Sequence, residues 1–366
     1  MRSSPKFTVS QVSSRMQASG VWGSASHRLA GSGPRVRRSA RRCPAPFLSA
    51  MTARLLRLAW PAVSCVLPII AAMVMPAPAI AQHFAAVGEN TAFHSDASLV
   101  LVPVTVTDRN GAIVNGLPRE AFSVRENGKE QQIRSFAVEE EPVSIGVVFD
   151  LSGSMKQSLS GARQALRALM ASANPDDEAF LETVSTHPQA ALGFTNDIGE
   201  LLSEVAFEKA RGDTALVDTV WQSLGHIRSA AHDRRALIVI SDGMDNHSRH
   251  SQGELLERAM EADLQIYTIS IFNPPSNKKP AQLIEEQHGL LLMQELADRT
   301  GGLQFIVRSD EDMQQAATRV GAALRNRYSI GYIPANGDRS GQWRKIQVKV
   351  ARAGLKAHAR TGYRLD

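Results

Sequence analysis

Three near-continuous apolar segments restrict the fold of this chain more than any other feature. They are VSIGVVFD at 143–150, RRALIVISD at 234–242 and QIYTISIF at 265–272. A strand that is buried on both faces, as in a parallel sheet covered by helices, has this kind of sequence. Segments with helical periodicity lie between and after these strands, among them about 156–173 and the long amphipathic stretch 310–327. Strands that alternate with helices predict an α/β fold with a doubly wound, mainly parallel sheet and helices on both faces.

The sequence on either side of this region alternates apolar and polar residues, as a half-buried strand does. Two Asn-Gly pairs, at 110–111 and 127–128, suit the positive φ angles of hairpin turns. We therefore expect the strands after the last helix to pair with the strands before the first one, which makes a small β subdomain from the N- and C-terminal flanks. The predicted boundaries are 98–141 for the N-terminal β module, 142–327 for the α/β domain and 328–366 for the C-terminal strands.

The Pro/Lys-rich segment 273–290 is predicted to be a loop inserted into the α/β domain. Loops near the sheet edge often carry specificity, but a tolerated surface insertion is an equal alternative.

The N-terminal 81 residues are expected to be absent from the mature protein. Residues 1–50 are rich in Arg, Ser and Pro and indicate a disordered leader or a start codon chosen too far upstream. Met51 begins a basic segment, an apolar run and small residues at Ala79 and Ala81, which are the parts of a secretory signal peptide. Cleavage after Ala81 would give a periplasmic or secreted protein with no membrane span.

Two other interpretations of the apolar run remain open. An uncleaved membrane anchor needs about 18 apolar residues, whereas four prolines interrupt this segment. A lipid on Cys65 fits less well because the apolar run continues past that cysteine.

Removal of the leader changes the charge of the chain. It takes 11 of the 41 basic residues and none of the 36 acidic ones, since the first acidic residue is Glu89, so 30 basic residues remain against 36 acidic ones and the net charge becomes −6. A mildly acidic protein has no electrostatic preference for nucleic acid. Both cysteines, Cys43 and Cys65, also leave, which excludes disulfide and thiol chemistry from the mature part.

Five oxygen-bearing side chains follow the predicted strands at one edge of the sheet. They are Asp150, Ser152 and Ser154 in FDLSGSM, Thr214 in GDTALVDT and Asp242 in VISDGMDN. Ligands of open α/β sheets bind outside the carboxyl ends of the strands, where all three motifs are expected to converge. Two carboxylates and three hydroxyls suit a hard cation, Mg²⁺ or else Mn²⁺ or Ca²⁺, and disfavour zinc and copper.

Each motif also has a purely structural interpretation. Asp and Ser are preferred at helix N-caps, so that the residues of the first motif, and likewise Thr214, could cap the helices that follow them. The sequence SDG at 241–243 could be a turn after a strand. The three motifs in this order, each after a strand of the right kind, favour the metal site.

These motifs, in this order and spacing, strongly resemble the von Willebrand factor type A (VWA) domain and its metal-ion-dependent adhesion site, the MIDAS motif. The resemblance covers about 142–327, and the flanks are similar to those of exported bacterial VWFA-related proteins of the acidobacterial type. It implies that Ser152, Ser154 and Thr214 offer hydroxyls to the metal, and that Asp150 and Asp242 bind it directly or through water. It also implies a non-catalytic module for protein–protein interaction or cell adhesion, in which an Asp or Glu of an unidentified protein ligand completes the coordination. Asp245 is expected to orient the loop.

Four alternatives compete with this interpretation. VVFDLSGS and VISDGMDN also resemble Mg²⁺-dependent haloacid dehalogenase-like phosphatases, but Ser152 replaces the second Asp, and a serine hydroxyl is not a general acid near neutral pH. A serine hydrolase built on Ser154 lacks the glycine that its nucleophile turn requires two residues earlier. His247 and His250 could indicate a transition-metal site, although two exposed histidines are more often solvated surface. Arg211-Gly212-Asp213 matches the tripeptide of integrin ligands, but it falls inside the predicted metal-holding loop.

Overall fold

The computed structural model describes residues 99–272, 280–335 and 341–364. The predicted leader, signal peptide and cleavage position all lie outside these residues, as do 273–279 of the predicted loop. Within the described ranges, none of the helices combines the length and the apolar character that crossing a membrane requires.

Strands and α-helices alternate through the middle of the chain and strands predominate at its ends. The strands of the described residues are β1 (Val100–Thr107), β2 (Phe122–Glu126), β3 (Lys129–Gln131), β4 (Ile133–Glu139), β5 (Ser144–Asp150), β6 (Glu178–Val184), β7 (Gln189–Thr195), β8 (Arg235–Ser241), β9 (Gln265–Ile271), β10 (Gln304–Val307), β11 (Arg327–Tyr332), β12 (Trp343–Val350), β13 (Lys356–Ala359) and β14 (Gly362–Arg364). The α-helices are α1 (Leu159–Met170), α2 (Ile198–Ala206), α3 (Leu216–His226), α4 (Gln252–Glu261), α5 (Pro280–Thr300) and α6 (Asp310–Arg325).

The central sheet has six strands in the order β10-β9-β8-β5-β6-β7. All neighbouring pairs are parallel except β6 and β7, which are antiparallel. Every residue of β5 and β9 is buried, as the apolar segments predicted. One face packs against α1, α2 and α6, and the other against α3, α4 and α5. The predicted doubly wound α/β architecture is confirmed.

The two flanks of the chain form two further four-stranded sheets, β13-β1-β11-β4 and β14-β12-β2-β3. Each combines strands from both ends of the chain: β1 pairs antiparallel with β11, and β2 with β12. Alternate residues of β1, including Val102 and Val104, are fully buried in a core that both sheets share. The hairpin between β2 and β3 turns at Asn127 and Gly128, both at positive φ (48° and 81°). The β subdomain predicted in the fold class is therefore present.

Two local predictions differ from the structure. The helix expected over about 156–173 starts as a 3₁₀ turn, Gly153–Gln157, and continues as α1 only from Leu159. The loop prediction for 273–290 was wrong for residues 280–290, which belong to α5. Proline favours the first position of a helix, and Pro280 occupies it here, whereas the prediction treated that proline as part of a loop.

Candidate metal site at the carboxyl edge of the sheet

The candidate site lies at the point where the order of the central strands reverses. Going outward from β5, the next strand in sequence, β6, lies on one side and β8 lies on the other. The connections that follow β5 and β8 therefore separate and leave a crevice at the carboxyl ends of these strands, where α/β folds bind ligands. Asp150 is the last residue of β5, and Asp242 directly follows β8.

The turn after β5 places a carboxylate and two hydroxyls together. Asp150 is completely buried. Its Oδ1 accepts a hydrogen bond from the Ser152 backbone N–H (2.8 Å), and its Oδ2 accepts one from the Ser241 hydroxyl at the end of β8 (2.6 Å). The hydroxyl oxygens of Ser152 and Ser154 are 3.0 Å apart. Three of the predicted ligands are thus held in one five-residue turn.

The loop that contains Thr214 is hydrogen-bonded to this turn. The Gly212 carbonyl accepts from the Gly153 N–H (3.0 Å), and the Arg211 N–H donates to the Leu151 carbonyl (2.8 Å). Gly212 has a φ of 81°, which favours glycine, and a Cβ at this position would lie 2.7 Å from the Thr186 hydroxyl. The glycine is therefore required for the loop to lie against its neighbours.

Thr214 also connects to the loop after β8. Its carbonyl accepts from the backbone N–H groups of Asn246 and His247 (3.0 Å each), and its own N–H donates to the Asn246 side chain (2.9 Å). The three loops are thus joined to one another by hydrogen bonds, and all five predicted ligand residues lie at the same edge of the sheet.

The serine and threonine hydroxyls do not act as helix caps here. Ser152 precedes the 3₁₀ turn without a capping hydrogen bond from its side chain. The N-cap residue of α3 is Ala215 rather than Thr214, and no side chain forms a capping hydrogen bond with this helix. Ser152 and Thr214 are nonetheless buried, with exposed fractions of 0% and 3%. Buried hydroxyls that do not cap a helix are available to face a ligand.

The electrostatics of the site favour a bound cation. Burial, and secondarily the negative charge of Asp242, raises the pKa of Asp150 to about 7, although the hydrogen bonds from Ser241 and Ser152 oppose this shift. Asp242 itself is 2% exposed, and its Oδ1 accepts from the Met244 N–H (3.2 Å). Two buried carboxylates that influence each other in this way repel when both are ionised, and a cation bound by both would remove that penalty.

The predicted donor set consists of two carboxylates and three hydroxyls. In the described part of the chain, no group of three or more His, Cys, Asp or Glu side chains is arranged to hold a metal. A site at this edge would therefore depend on hydroxyl, water and outside oxygen donors, which a hard cation such as Mg²⁺ accepts.

We expect metal affinity to rise with pH between 5.5 and 8. The folded-state pKa of Asp150, about 7, lies above its ordinary value of 3.8, so the carboxyl holds a proton across most of this window and a metal must displace it. The same shift destabilises the metal-free protein as pH rises from about 4 to 7. Titration with Mn²⁺ should give an affinity roughly 10- to 30-fold weaker at pH 5.5 than at pH 8. Equal affinities at the two pH values would contradict the assignment of Asp150 as a ligand.

Two residues after β8 hold the loop in place. Asp245 accepts hydrogen bonds from the Ser248 hydroxyl (2.6 Å) and from the Val217 N–H in the first turn of α3 (3.3 Å), so it connects the loop to that helix. Burial raises the pKa of Asp245. Asn246 is the second positioning residue, through its bond to Thr214. Neither Asn246 nor Ser241 was predicted to position the site, although a polar residue at the end of an otherwise apolar strand was a usable signal for Ser241.

Helix α5 packs directly on this loop. A Cβ on Gly289 would lie 1.9 Å from the Gly243 carbonyl oxygen, a separation that no side chain tolerates. Glu285, one turn earlier, accepts a hydrogen bond from the Asp245 backbone, and its pKa is raised by burial and by the charges of Asp242 and Asp245. Sequence reasoning missed Glu285 because it fell inside the predicted loop.

Substitution of Gly289 by alanine is expected to displace α5 from the loop after β8. Overpacking of this kind costs about 1–3 kcal/mol of stability, and the shifted loop should weaken metal binding as well. The control is Gly253→Ala at the second position of α4, where the nearest atom to the new Cβ is 3.9 Å away, so that alanine should not lower the stability. Thermal unfolding and Mn²⁺ titration measure both effects; equal behaviour of the two variants would contradict the contact.

The two histidines after β8 have separate environments. His250 Nδ1 lies 2.7 Å from the Asp218 carboxylate, and its ring stacks on Trp221 with centroids 4.2 Å apart. The His247 ring instead faces that of His187 at 5.5 Å. The alternative of a shared transition-metal site is therefore not favoured by the positions of these side chains.

The comparisons with known proteins return distant similarities to solved structures. No family model matches the chain, and the search of curated proteins found no significant match. Among solved structures, the von Willebrand factor type A protein from Catenulispora acidiphila is 11% identical, with 75% of this chain and 76% of that one covered and a TM-score of 0.44. The conserved hypothetical protein BatB from Bacteroides thetaiotaomicron is 16% identical (50% and 98% covered, TM-score 0.39). The vWF domain of the type V pili tip protein Mfa5 from Porphyromonas gingivalis is 11% identical (50% and 95% covered, TM-score 0.39). Similarities at this level assign neither a ligand nor an activity to the chain.

Proposed function

We propose that this protein is an exported, non-catalytic module that binds a protein partner through a divalent cation. The observation that carries the proposal is the joining of three loops at the strand-order reversal, which brings Asp150, Ser152, Ser154, Thr214 and Asp242 to one edge of the sheet. Their resemblance to the MIDAS motif of VWA domains supports the same conclusion. Mg²⁺ is the first candidate for the cation, with Mn²⁺ and Ca²⁺ as alternatives.

The partner is expected to offer an aspartate or a glutamate. Octahedral Mg²⁺ takes six oxygens, and five protein groups leave a position for an outside donor. Asp150 and Asp242 provide at most two negative charges, and either of them could act through water, so the cation keeps positive charge toward the solvent. An incoming carboxylate then forms a charge-assisted bond that a water molecule does not match.

The phosphatase alternative receives no support from the geometry. Ser152 occupies the position of the general acid, and its hydroxyl lies 3.0 Å from that of Ser154. Metal-dependent turnover of a generic phosphomonoester by the purified protein would revive this alternative.

The proposal is tested by calorimetric titration of the protein with Mg²⁺ and Mn²⁺. Thr214→Ala should weaken binding, because it removes one hydroxyl donor. The matched control is Asp213→Asn in the same loop, an exposed side chain outside the ligand set, which should leave the affinity unchanged. Absence of metal binding by the unmodified protein would refute the proposal. A partner retained from envelope extract with Mn²⁺, but lost with EDTA and with Thr214→Ala, would then identify the ligand.

The export part of the proposal has a separate test. Protein purified from the native cell envelope or medium should begin at Gln82, the residue after the expected cleavage position. A protein that keeps residues 51–81 would support the membrane-anchor alternative instead.

A further inference from the structure

A cleft of about 660 Å³ lies where the beginning of β1 meets the end of α4 and strand β14. Its volume falls within the range of about 300–1,000 Å³ that is typical of small-ligand sites. Asp263, which lines the cleft, precedes β9 and therefore lies at the amino edge of the central sheet. The candidate metal site occupies the opposite, carboxyl edge. The ligand chemistry of the cleft therefore has to follow from its own residues.

Two exposed leucines form an apolar wall of the cleft. Leu99 and Leu101 are 46% and 49% exposed, and they lie on the same side of the extended chain because they are two positions apart. Gly331 is the neighbour of Leu101 on β11, and a Cβ there would lie 3.2 Å from side-chain atoms of both leucines. The two side chains therefore meet over this glycine. On the other flanking sheet, the outward positions Lys345 and Lys349 of β12 are charged and exposed, as is usual for the solvent side of an antiparallel sheet.

Arg360 holds the floor of the cleft in place. Strand β13 covers Val104–Thr107 of β1, and the chain then turns at Arg360, whose guanidinium donates to the Leu101 carbonyl (2.7 Å) and pairs with Asp263. The same guanidinium lies over the ring of Tyr363, 5.5 Å from its centroid. Arg360 is thus engaged by protein groups, and it shapes the cleft rather than binding a ligand.

Arg228 and Arg364 supply the positive charge that a ligand can reach. Arg228 is exposed, and its guanidinium makes no hydrogen bond or ion pair with the residues that the structure describes. Burial, and secondarily the positive charge of Arg228, lowers the pKa of Arg258, so these two guanidinium groups lie close enough to repel each other. Arg364 pairs with Glu261 at 3.4 Å, but the two side chains are 59% and 50% exposed, and such a pair is weak. A carboxylate placed here would offset the repulsion and form charge-assisted hydrogen bonds.

The cleft continues into a second cavity, which makes it an elongated groove. This cavity, of about 380 Å³, shares Met260, Glu261 and Arg364 with the cleft and is also lined by Trp343. Glu261 and Asp263, half or more exposed on the rim, can accept hydrogen bonds from a ligand. The groove therefore offers donors, acceptors and apolar side chains along its length. A peptide has groups complementary to all three, whereas an alkyl chain would place hydrocarbon against the carboxylates.

We propose that this groove binds the C-terminal end of an apolar peptide. The terminal carboxylate pairs with Arg228 and Arg364, and an apolar side chain packs on Leu99 and Leu101. Backbone N–H groups of the peptide donate to the two carboxylates on the rim. The inference is independent of the candidate metal site.

Three acetylated tetrapeptides and decanoate test the inference by calorimetric titration in EDTA. The first peptide is Leu-Ala-Leu-Phe with a free C-terminal carboxylate, the second is its C-terminal amide, and the third has serine in place of both leucines and the phenylalanine. The protein should bind the first peptide about 10-fold or more tightly than the second, because the amide lacks the charge that the arginines recognise. The third peptide and decanoate should bind about 10-fold more weakly than the first as well.

Two substitutions in the groove have matched controls elsewhere. Arg228→Gln and Leu101→Ser should each weaken binding of the first peptide about 5-fold or more. The controls are Arg167→Gln on α1, which also removes an exposed guanidinium, and Ile306→Ser on β10, where the side chain is 48% exposed. Both controls should leave the affinity unchanged, and thermal unfolding verifies that all four variants are folded.

Several results would overturn the inference. Equal affinity for the acid and the amide would exclude recognition of the carboxylate, and equal affinity for the apolar and serine peptides would exclude the apolar wall. Binding that survives either groove substitution would place the peptide elsewhere on the protein. Decanoate that binds as tightly as the first peptide would assign the groove to long-chain carboxylates instead. Absence of binding by all four probes would also overturn it, whereas the proposed metal site would be unaffected by any of these outcomes.

Discussion

Replacement of Asp150 with asparagine is expected to weaken divalent-metal binding severely and, at the same time, to stabilise the metal-free protein at pH 8. Asparagine has the shape of aspartate and keeps an acceptor for the Ser152 N–H, but it lacks the charge that a cation requires. The metal affinity should fall about 100-fold or more, because a charged oxygen ligand is lost from the centre of the site. The melting temperature without metal should rise, because the variant no longer places a buried negative charge beside Asp242.

The two effects have opposite signs, and this makes the test selective. A substitution that merely damages the fold lowers both metal affinity and stability, whereas removal of a ligand from a charged site lowers only the first. Calorimetric titration and thermal unfolding in EDTA measure the two quantities on the same sample. Asp213→Asn serves as the control, since it removes an exposed carboxylate from the adjacent loop. Unchanged Mn²⁺ affinity in Asp150→Asn would remove the basis of the proposed function.

The sequence was sufficient to predict the central sheet and the edge that carries the candidate site. Buried parallel strands have nearly continuous apolar sequences, so β5, β8 and β9 could be recognised one at a time. Their order along the chain, with helices between them, then determines that all carboxyl ends meet at one edge. This is why Asp150 and Asp242, 92 positions apart, could be placed together. Their role as metal ligands stays a prediction that the titrations test.

The contacts that hold the site together could not be predicted, because they depend on residues far apart in sequence. Ser241 donates to Asp150 across 91 positions, and nothing near either residue indicates the other. The close approach of Gly289 to Gly243 is a packing relation between a helix and a loop. From sequence alone, Gly289 and Pro280 were both predicted to be loop residues. In the structure, Pro280 begins α5 and Gly289 contacts Gly243 in the loop after β8.

The flanking sheets also contain long-range contacts that could not be predicted from the sequence. Alternation in the sequence predicted that the two flanks pair, but Glu126 occupies an inward-facing position of β2, where a charge conflicts with the pattern. The structure resolves the conflict: the Glu126 carboxylate accepts from Tyr332 and Tyr363 (2.8 Å each) and pairs with Arg344 (2.9 Å). All three partners lie more than 200 positions later in the chain. Burial, together with the hydrogen bond to Glu126, raises the pKa of Tyr363 to about 12.

Substitution of Glu126 by leucine is expected to destabilise the protein by about 3–5 kcal/mol. Glu126 and Arg344 are only 5% and 6% exposed, so the variant leaves a buried guanidinium without its carboxylate and two tyrosine hydroxyls without their acceptor. The double variant Glu126→Leu/Arg344→Met should recover much of this loss, because replacing both members of a buried ion pair with apolar residues is often nearly neutral. Denaturant unfolding of the two single variants and the double variant gives the coupling energy directly.

Because these residues belong to the flanking sheets, Mn²⁺ affinity of the folded double variant should remain within about twofold of the unmodified protein, as distant sites usually behave independently. A double variant as unstable as Glu126→Leu alone would show that the tyrosine hydroxyls, rather than the ion pair, account for the stability of this network.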